Sequence, residues 1–319
     1  MKLGYFLSCE EWGPHDLVAQ AVRAREAGFE RLWISDHFHP WNDAQGHSPF
    51  VWGVIGAIAQ AAPELEIATA VTCPTIRIHP AVIAHAAATA AVLTGGRFTL
   101  GLGTGEALNE HVLGDRWPFA AERREMLEEA VEVIRLLWSG GVRSHHGTHY
   151  QVDHARIYDL PEAPPKIVVS GFGPQAVDLA ARIGDGYCTV GPDADSVDRF
   201  RSAARRPEVV VQGGLKVCYG PDEQTAKETV HRLWATEALP GELAQVLPTP
   251  AHFEQASQLV SVEAASEDVP CGPDLDAHVE AIRAYERAGF DEVYINQIGP
   301  EQESFFVAYA REVLPKFRS

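Results

Sequence analysis

The feature that most constrains the fold is a regular alternation of short apolar runs with helix-like stretches. Eight runs rich in β-branched and aromatic residues predict strands at 2–8, 31–35, 66–73, 97–104, 166–171, 186–190, 209–219 and 292–299. Helical periodicity lies between several of them, most clearly at 15–27 and 120–138. Near-continuous apolar strands, each followed by a helix, are typical of a buried parallel sheet. Eight such units predict an α/β fold of the (β/α)8 TIM-barrel type rather than an open doubly wound sheet.

An internal echo supports a closed barrel. REAGFERLWIS at 25–35 is similar to ERAGFDEVYIN at 286–296, and each predicts a helix end, a turn and a strand. Gly28 and Gly289 are expected to end their helices in the left-handed conformation. Because these units lie near opposite ends of the chain, the first and last strands are expected to be neighbours.

Two segments interrupt the alternation. Residues 139–165 combine Gly and Pro clusters with alternating apolar residues, which predicts a hairpin-like insertion. Residues 239–273 contain five prolines, and only a run near 252–260 has helical character. A long insertion of this kind in a barrel often forms a lid. Since no linker divides the chain, we expect residues 1–319 to form one domain.

Composition narrows the class of partner. The formal net charge of −18 argues against binding to nucleic acid or to an anionic membrane. No apolar stretch reaches the roughly 18 residues that a membrane-spanning helix needs. The first residues lack the features of a signal peptide, and the five cysteines are scattered singly. We therefore expect a cytoplasmic protein that acts on a small molecule.

SDHFHPW at 35–41 raises two alternatives for the end of the second strand. His37 and His39 are suited either to a divalent metal or to proton chemistry, because active sites of such barrels lie at the carboxyl ends of the strands. A metal needs further His, Asp or Glu ligands. Strands five, six and eight end in SGFG, TVG and NQIG, which supply none. We therefore predict no metal site and interpret His39 as structural.

GLGTGEALNE at 101–110 follows the fourth strand. It contains Gly-x-Gly-x-Gly but lacks the Gly-x-Gly-x-x-Gly spacing of dinucleotide-binding folds. A tight turn built from small residues would explain it equally well. With Glu106 just beyond the turn, it also exposes backbone N–H groups and one acid to a planar ligand.

Together with HPAVIAHAAAT at 79–89 and IYDLP at 157–161, these motifs carry a resemblance. From residue 2 to about 189, and again in the last barrel unit, the sequence resembles the luciferase-like, deazaflavin-dependent oxidoreductases, above all the F420-dependent glucose-6-phosphate dehydrogenase group. The resemblance implies a TIM barrel, usually dimeric, with the F420 ring at the carboxyl mouth. It also implies a bulged third strand with a non-prolyl cis peptide at Ala70–Val71.

The resemblance implies a role for individual residues. His37 matches the base that takes the alcohol proton, and an imidazole that titrates near neutrality suits that task. Trp41 matches an indole that steadies developing charge, while Glu106 and Glu10 match two active-site acids. The remaining matches are contacts to the cofactor, with Asp36 able to orient His37 or to bond the ring: Asp36, Ala70, Val71, Thr104, Gly105, Glu106, Asn109, Gly171, Phe172 and Gly173.

The substrate side departs from the sugar-phosphate enzymes. Where those enzymes carry lysine after the sixth strand, this chain has Thr-Val-Gly-Pro at 189–192, and residues 233–282 contain no Lys or Arg. Apolar residues there could instead wall a pocket, among them Trp234 and Phe253. We therefore expect an F420-dependent oxidoreductase that transfers a hydride between the cofactor and an alcohol or carbonyl compound other than a sugar phosphate.

Three further points stay open at this level. Phe172 replaces a glycine and could crowd the F420 tail, and the sequence shares features with a subgroup that has reverted to ordinary flavin, so FMN is the alternative cofactor. A flavin-binding barrel without turnover is a second alternative. The apolar stripe of 49–62 (Phe50, Val51, Val54, Ile55 and Ile58) suits either a homodimer interface or packing on the barrel.

Overall fold

Eight parallel strands of the computed structural model, which describes residues 1–318, close into a barrel. Around the barrel the order is β1-β10-β9-β8-β7-β4-β3-β2, so the predicted TIM barrel is confirmed. The strands are β1 (Lys2–Leu7), β2 (Arg31–Ile34), β3 (Glu66–Thr69), β4 (Phe98–Leu102), β5 (Arg143–His146), β6 (Gln151–Ala155), β7 (Lys166–Ser170), β8 (Gly186–Val190), β9 (Val210–Val217) and β10 (Glu292–Gln297).

Helices surround the barrel and follow most of its strands. They are α1 (Pro14–Ala27), α2 (Val51–Ala61), α3 (Pro80–Leu93), α4 (Ala107–Glu110), α5 (Ala120–Trp138), α6 (Pro174–Ile183), α7 (Ala194–Ala203), α8 (Glu223–Trp234), α9 (Leu243–Val246), α10 (Pro250–Ser257), α11 (Val262–Ser266), α12 (Leu275–Arg287) and α13 (Gln302–Ala308). The two helices predicted from periodicity are α1 and α5. Gly28 and Gly289, with φ of 101° and 86°, adopt the expected left-handed conformation.

The first and last strands are neighbours, as the sequence echo predicted. Tyr5 on β1 is in register with Leu32 on β2 and with Ile295 on β10. Inside the barrel the rings of Trp33 and Tyr294 stack with their centroids 4.4 Å apart. These side chains fill the interior, which is typical of TIM barrels, and leave the chemistry to the carboxyl mouth.

The third strand is shorter than predicted. β3 ends at Thr69, and the peptide bond between Ala70 and Val71 is cis, as the resemblance implied. The chain then returns to the sheet at Thr72, which bridges to Leu102. A Cβ atom on Gly101 would lie 1.9 Å from the carbonyl oxygen of Thr69, so this close approach requires glycine on β4.

The two interrupting segments have different structures. Residues 139–165 contain the antiparallel pair β5 and β6. Residues 239–273, here called the lid segment, contain the short helices α9, α10 and α11, of which only α10 had a sequence signal. The lid segment returns to the barrel through backbone hydrogen bonds from Cys218 to Pro270 and from Gly272 to Cys218, each of 2.9 Å.

The apolar stripe of 49–62 packs on the barrel. Val51, Val54, Ile55 and Ile58 are buried, and only Phe50 is exposed, at 63%. The interpretation of this stripe as an exposed dimer face is therefore wrong, because its side chains fill the space between α2 and the sheet. Among residues 1–318, no helix combines the length and the apolar character that crossing a membrane requires.

Candidate functional site

Three predicted residues meet at the barrel mouth. Glu10 follows β1, while His37 and Trp41 follow β2. Nδ1 of His37 lies 3.3 Å from Oε1 of Glu10, and the rings of His37 and Trp41 meet edge to face with their centroids 5.1 Å apart. The His37–Glu10 contact lacks hydrogen-bond geometry, so Nδ1 is a buried nitrogen without a hydrogen-bond partner among the described residues.

The Glu10 carboxylate is held in place from one side. Its Oε2 accepts hydrogen bonds from the hydroxyls of Ser8, at 2.7 Å, and Ser35, at 2.9 Å. The Ser35 hydroxyl in turn accepts from the backbone N–H of Cys9. With Oε2 engaged, Oε1 faces His37. A fixed carboxylate beside an imidazole can stabilise the ring once it has gained a proton.

Asp36 does not contact His37. Its Oδ2 accepts a hydrogen bond of 2.8 Å from the hydroxyl of Thr72, and its Oδ1 lies 3.0 Å from Nη2 of Arg77. Of the two roles that the sequence left open for Asp36, orienting His37 therefore has no support from these contacts. The carboxylate instead anchors the loop after β2 to the loop after β3.

Arg77 is a site residue that the sequence analysis missed. Besides Asp36, it contacts Glu110: its backbone N–H donates to Oε2 at 2.8 Å, and its Nε lies 3.4 Å from Oε1. All three side chains are buried. Burial opposes the charge of the Arg77 guanidinium, but the two carboxylates raise its pKa above the usual value. The available signal was a lone arginine just beyond the third strand.

The loop after β4 is tied to the loop after β2 by one amide. Oδ1 of the buried Asn109 accepts from the backbone N–H groups of Phe38, at 2.9 Å, and His39, at 3.1 Å. Its Nδ2 lies 3.4 Å from Oε2 of Glu106, which precedes α4. Gly105 has a φ of 71°, and a Cβ there would lie 2.6 Å from Sγ of Cys73. Backbone conformation and space therefore both require glycine at position 105. Thr104, which the sequence analysis also predicted as a cofactor contact, is half-buried.

The loop after β7 carries the last three predicted cofactor contacts. The carbonyl of Gly171 accepts from the hydroxyl of Tyr187 at 2.9 Å, and Gly173, with φ of 80°, precedes α6. Phe172 between them is 62% exposed. No hydrogen bond or ion pair within residues 1–318 joins this loop to the His37 group, so the structure brings it to the mouth only by its position after a barrel strand.

The lid segment and the end of α8 form the other wall of the mouth. The ring of Trp41 meets that of Phe253 on α10, edge to face, with centroids 5.1 Å apart. Side-chain amides of Asn42 and Gln45 each donate to the carbonyl of Leu233, at 2.9 Å. Trp41 therefore has His37 on one side and an aromatic wall on the other.

Glu11 connects this wall to the barrel, and the sequence analysis gave it no role. It accepts hydrogen bonds from Nε1 of Trp234, at 2.5 Å, and from the backbone N–H of Gly299, at 2.9 Å. Burial raises the pKa of Glu11 to about 7, although both hydrogen bonds act to lower it. Glu11 is thus a titratable group that holds Trp234 against the mouth.

Lys216 is a second residue that the sequence analysis missed. It lies near the end of β9, on the same face of the strand as Gln212. Because the side chain of Gln212 bonds Trp33 inside the barrel, that of Lys216 also points inward. Its Nζ lies 4.1 Å from the ring centroid of Trp234 and forms an ion pair with Glu237. Lys216 stands within a predicted strand rather than after one, so its position gave no signal of a cation at the mouth.

Metal ligation was the competing interpretation of the mouth. Within residues 1–318 no group of three or more His, Cys, Asp or Glu side chains is arranged to hold a metal ion. The histidines of SDHFHPW separate instead: His37 faces Glu10, whereas Nδ1 of His39 lies 3.0 Å from the carbonyl of Leu108.

Comparison with known proteins identifies the family of this chain. The family model described as luciferase-like monooxygenase matches residues 1–292. The chain belongs to the luciferase-like monooxygenase family. An F420-dependent glucose-6-phosphate dehydrogenase from Microbacterium testaceum (strain StLB037) is 38% identical, over 100% of this chain and 98% of its own length.

Two solved structures share the fold of this chain. An F420-dependent secondary alcohol dehydrogenase, in complex with an F420-acetone adduct, is 29% identical with a TM-score of 0.93, and the match covers 100% of this chain and 99% of that one. An F420-dependent tetrahydromethanopterin reductase from Methanopyrus kandleri is 20% identical with a TM-score of 0.78, covering 100% of both chains. The latter likeness shows the fold alone.

Proposed function

We propose that this family member is an F420-dependent oxidoreductase that transfers a hydride between the cofactor and an alcohol or carbonyl carbon. The observation that carries the proposal is the placement of His37 between Glu10, at 3.3 Å, and Trp41, at 5.1 Å. Relatives named for F420-dependent dehydrogenation of a sugar phosphate and of secondary alcohols support the cofactor and the reaction class.

The residues at the mouth fit such a cofactor. A flat polar ring needs an apolar surface against its face and hydrogen-bonding groups at its edge. Ala70 and Val71 are half-buried apolar residues that pack against the barrel interior. Glu106 is a half-buried acid just before α4, and Nδ1 of His37 is a buried polar atom without a hydrogen-bond partner among residues 1–318. We therefore propose that Ala70, Val71, Glu106 and the turns at Thr104–Gly105 and Gly171–Gly173 hold F420.

Bound there, F420 would supply a two-electron carrier that accepts or returns a hydride. In alcohol oxidation His37 takes the hydroxyl proton as the hydride leaves the same carbon. The Glu10 carboxylate then stabilises the imidazolium, because its Oε1 faces the ring. Trp41 packs against His37 and restricts water at that position. For carbonyl reduction the same histidine returns the proton.

We also propose that the substrate is a neutral alcohol, an unphosphorylated sugar or an apolar carbonyl compound rather than a sugar phosphate. On the lid side of the mouth the half-buried ring of Trp41 packs on the buried ring of Phe253, so this side is apolar. Residues 233–282 contain no Lys or Arg. The lysine that does reach this side, Lys216, is already paired with Glu237. A phosphate dianion needs unpaired cations or several N–H donors.

The test uses purified protein with F420 and, separately, with FMN. The substrates are 2-propanol, glucose and glucose 6-phosphate, and the readout is loss of the oxidised cofactor's absorbance under anaerobic conditions. We expect F420 to be reduced by 2-propanol or glucose more efficiently than by glucose 6-phosphate. Tight binding of FMN but not of F420 would refute the cofactor. Binding of F420 without turnover of any alcohol would support a non-catalytic barrel instead.

We propose in addition that the chain forms a homodimer through the outer faces of α2 and α3. Neither helix contains a charged residue, although 22% of the chain is charged. Val82, Val92 and Leu93 are exposed on α3, and an uncharged helical surface with exposed apolar side chains favours an interface. Light scattering should give twice the monomer mass, and Val82→Glu should return the monomer.

A further inference from the structure

The lysine at the mouth is already neutralised by the protein. Lys216 is 12% exposed, whereas Glu237, its ion-pair partner, is 46% exposed. Glu237 lies on the turn that follows α8, just before the lid segment, and Trp234 one turn earlier covers the lysine with its ring. Lys216 therefore lies on the barrel, whereas Glu237 lies beside the lid segment, where a substrate would compete with it for the lysine.

Lys216 reaches the substrate side rather than the cofactor side. Trp234, which it contacts at 4.1 Å, is held by Glu11, and Glu11 is the neighbour of Glu10 at the His37 site. Trp41 packs against the same apolar cluster as Trp234. A substrate that reaches His37 past Trp41 therefore comes close to the Lys216–Glu237 pair.

We propose that Glu237 is a specificity-determining residue, which excludes phosphorylated substrates by occupying Lys216. A phosphate that approaches Lys216 must displace the Glu237 carboxylate and then lies beside that second negative charge. A hydroxyl group of a neutral substrate does neither. The inference rests on the proposed function and deepens it, since it names the residue that sets the substrate class of that site.

The experiment compares Glu237→Gln with a matched control, Glu242→Gln. Both changes remove one negative charge from neighbouring positions, but Glu242 is exposed and has no ion-pair partner among residues 1–318. We expect Glu237→Gln to lower the KM for glucose 6-phosphate relative to that for glucose by about tenfold, since a charge-assisted hydrogen bond becomes available. Glu242→Gln should leave the ratio as in the wild type.

A double variant, Glu237→Gln with Lys216→Met, identifies the cation. It should lose the gain in phosphate preference, because the unpaired lysine is then gone. If the double variant keeps the gain, or if Glu237→Gln and Glu242→Gln shift the KM ratio equally, general charge rather than Lys216 is responsible. Either result overturns the proposal. Glu237→Ala provides a second variant and should shift the ratio in the same direction as Glu237→Gln.

Binding measurements separate this inference from the proposed function. Calorimetric titration of each variant with glucose 6-phosphate and with glucose reports the preference without turnover. If the wild type fails to reduce F420 with any alcohol, the proposed function is wrong, but the ratio of the two dissociation constants still tests Glu237. If the wild type oxidises neutral alcohols and the ratio is unchanged in Glu237→Gln, only the role of Glu237 is refuted.

Discussion

The two sides of the barrel mouth are built differently. On the proposed cofactor side, Asp36, Arg77 and Glu110 form a buried charged network, and Asn109 joins the loops after β2 and β4 through two hydrogen bonds. On the proposed substrate side, aromatic rings meet edge to face, and the ion pair of Lys216 and Glu237 is half-exposed at its acid. One side is a dense network of buried charges, and the other is an apolar wall with an ion pair that is half-exposed at its acid.

This difference suggests a division of labour between the two sides. A buried network with every charge paired tolerates little change, because removing one member leaves an uncompensated charge. A wall of aromatic side chains on short helices can change its shape and charge with little effect on the barrel. This arrangement suits a family whose members bind the same cofactor but different substrates.

The largest expected effect lies at the boundary between the sides. His37→Ala should reduce turnover about 10²–10⁴-fold, because a positioned base is lost, while the dissociation constant for F420 changes little. The measurement is single-turnover reduction of F420 together with a binding titration. His47→Ala, an exposed histidine of the same loop, is the control. If His37→Ala turned over as fast as the wild type, His37 would not be the base.

Breaking the polar network should come next. Arg77→Gln leaves the Asp36 and Glu110 carboxylates without their shared cation, and we expect a loss of about 3–5 kcal/mol in the free energy of unfolding. Lys216→Met on the other side should cost clearly less, since its partner is half-exposed. Denaturant titration measures both. Equal losses would contradict the contrast between the two sides.

A pH titration sharpens the comparison at Glu11. Because its pKa is raised to about 7, the folded protein binds this proton more tightly than the unfolded chain does. Its stabilising contribution is therefore present below about pH 4.5 and is lost as the pH rises through about 7. Between pH 4.5 and 8, the wild type should lose about 3 kcal/mol of unfolding free energy relative to Glu11→Gln. A constant difference would contradict the raised pKa.

The smallest effect is expected where the lid segment meets the loop after β2. Oε1 of Glu254 accepts a hydrogen bond of 3.0 Å from the backbone N–H of Asp43. Because the contact is exposed, Glu254→Gln should change the KM for a neutral alcohol by about threefold or less. The affinity for F420 should stay the same. A larger loss of F420 affinity than of substrate affinity would show that this contact belongs to the cofactor side and not to the substrate side.

Local sequence patterns predicted the architecture well. Apolar runs, helical periodicity and the glycines at 28 and 289 depend on neighbouring residues, so the eight barrel strands and the helices α1 and α5 could be read from the chain. Residues that follow a strand lie at the mouth of any such barrel, so the position of Glu10, His37 and Trp41 could be predicted, whereas their roles were implied only by the resemblance. The apolar stripe on α2 was ambiguous, because burial on the barrel and burial in a dimer require the same residues.

Only the tertiary structure decided which side chains meet. Arg77 reaches Asp36 across 41 positions, and Trp234 reaches Glu11 across 223, distances over which no local pattern carries information. Lys216 was hidden because its strand looked like part of the packed interior, and the structure alone shows that its charge emerges at the mouth beside Glu237. The sequence by itself determined the barrel and the position of its mouth, because backbone geometry and hydrophobic periodicity are local. The pairing of charges within the mouth depends on how strands, loops and lid pack together, and only the folded chain settles that.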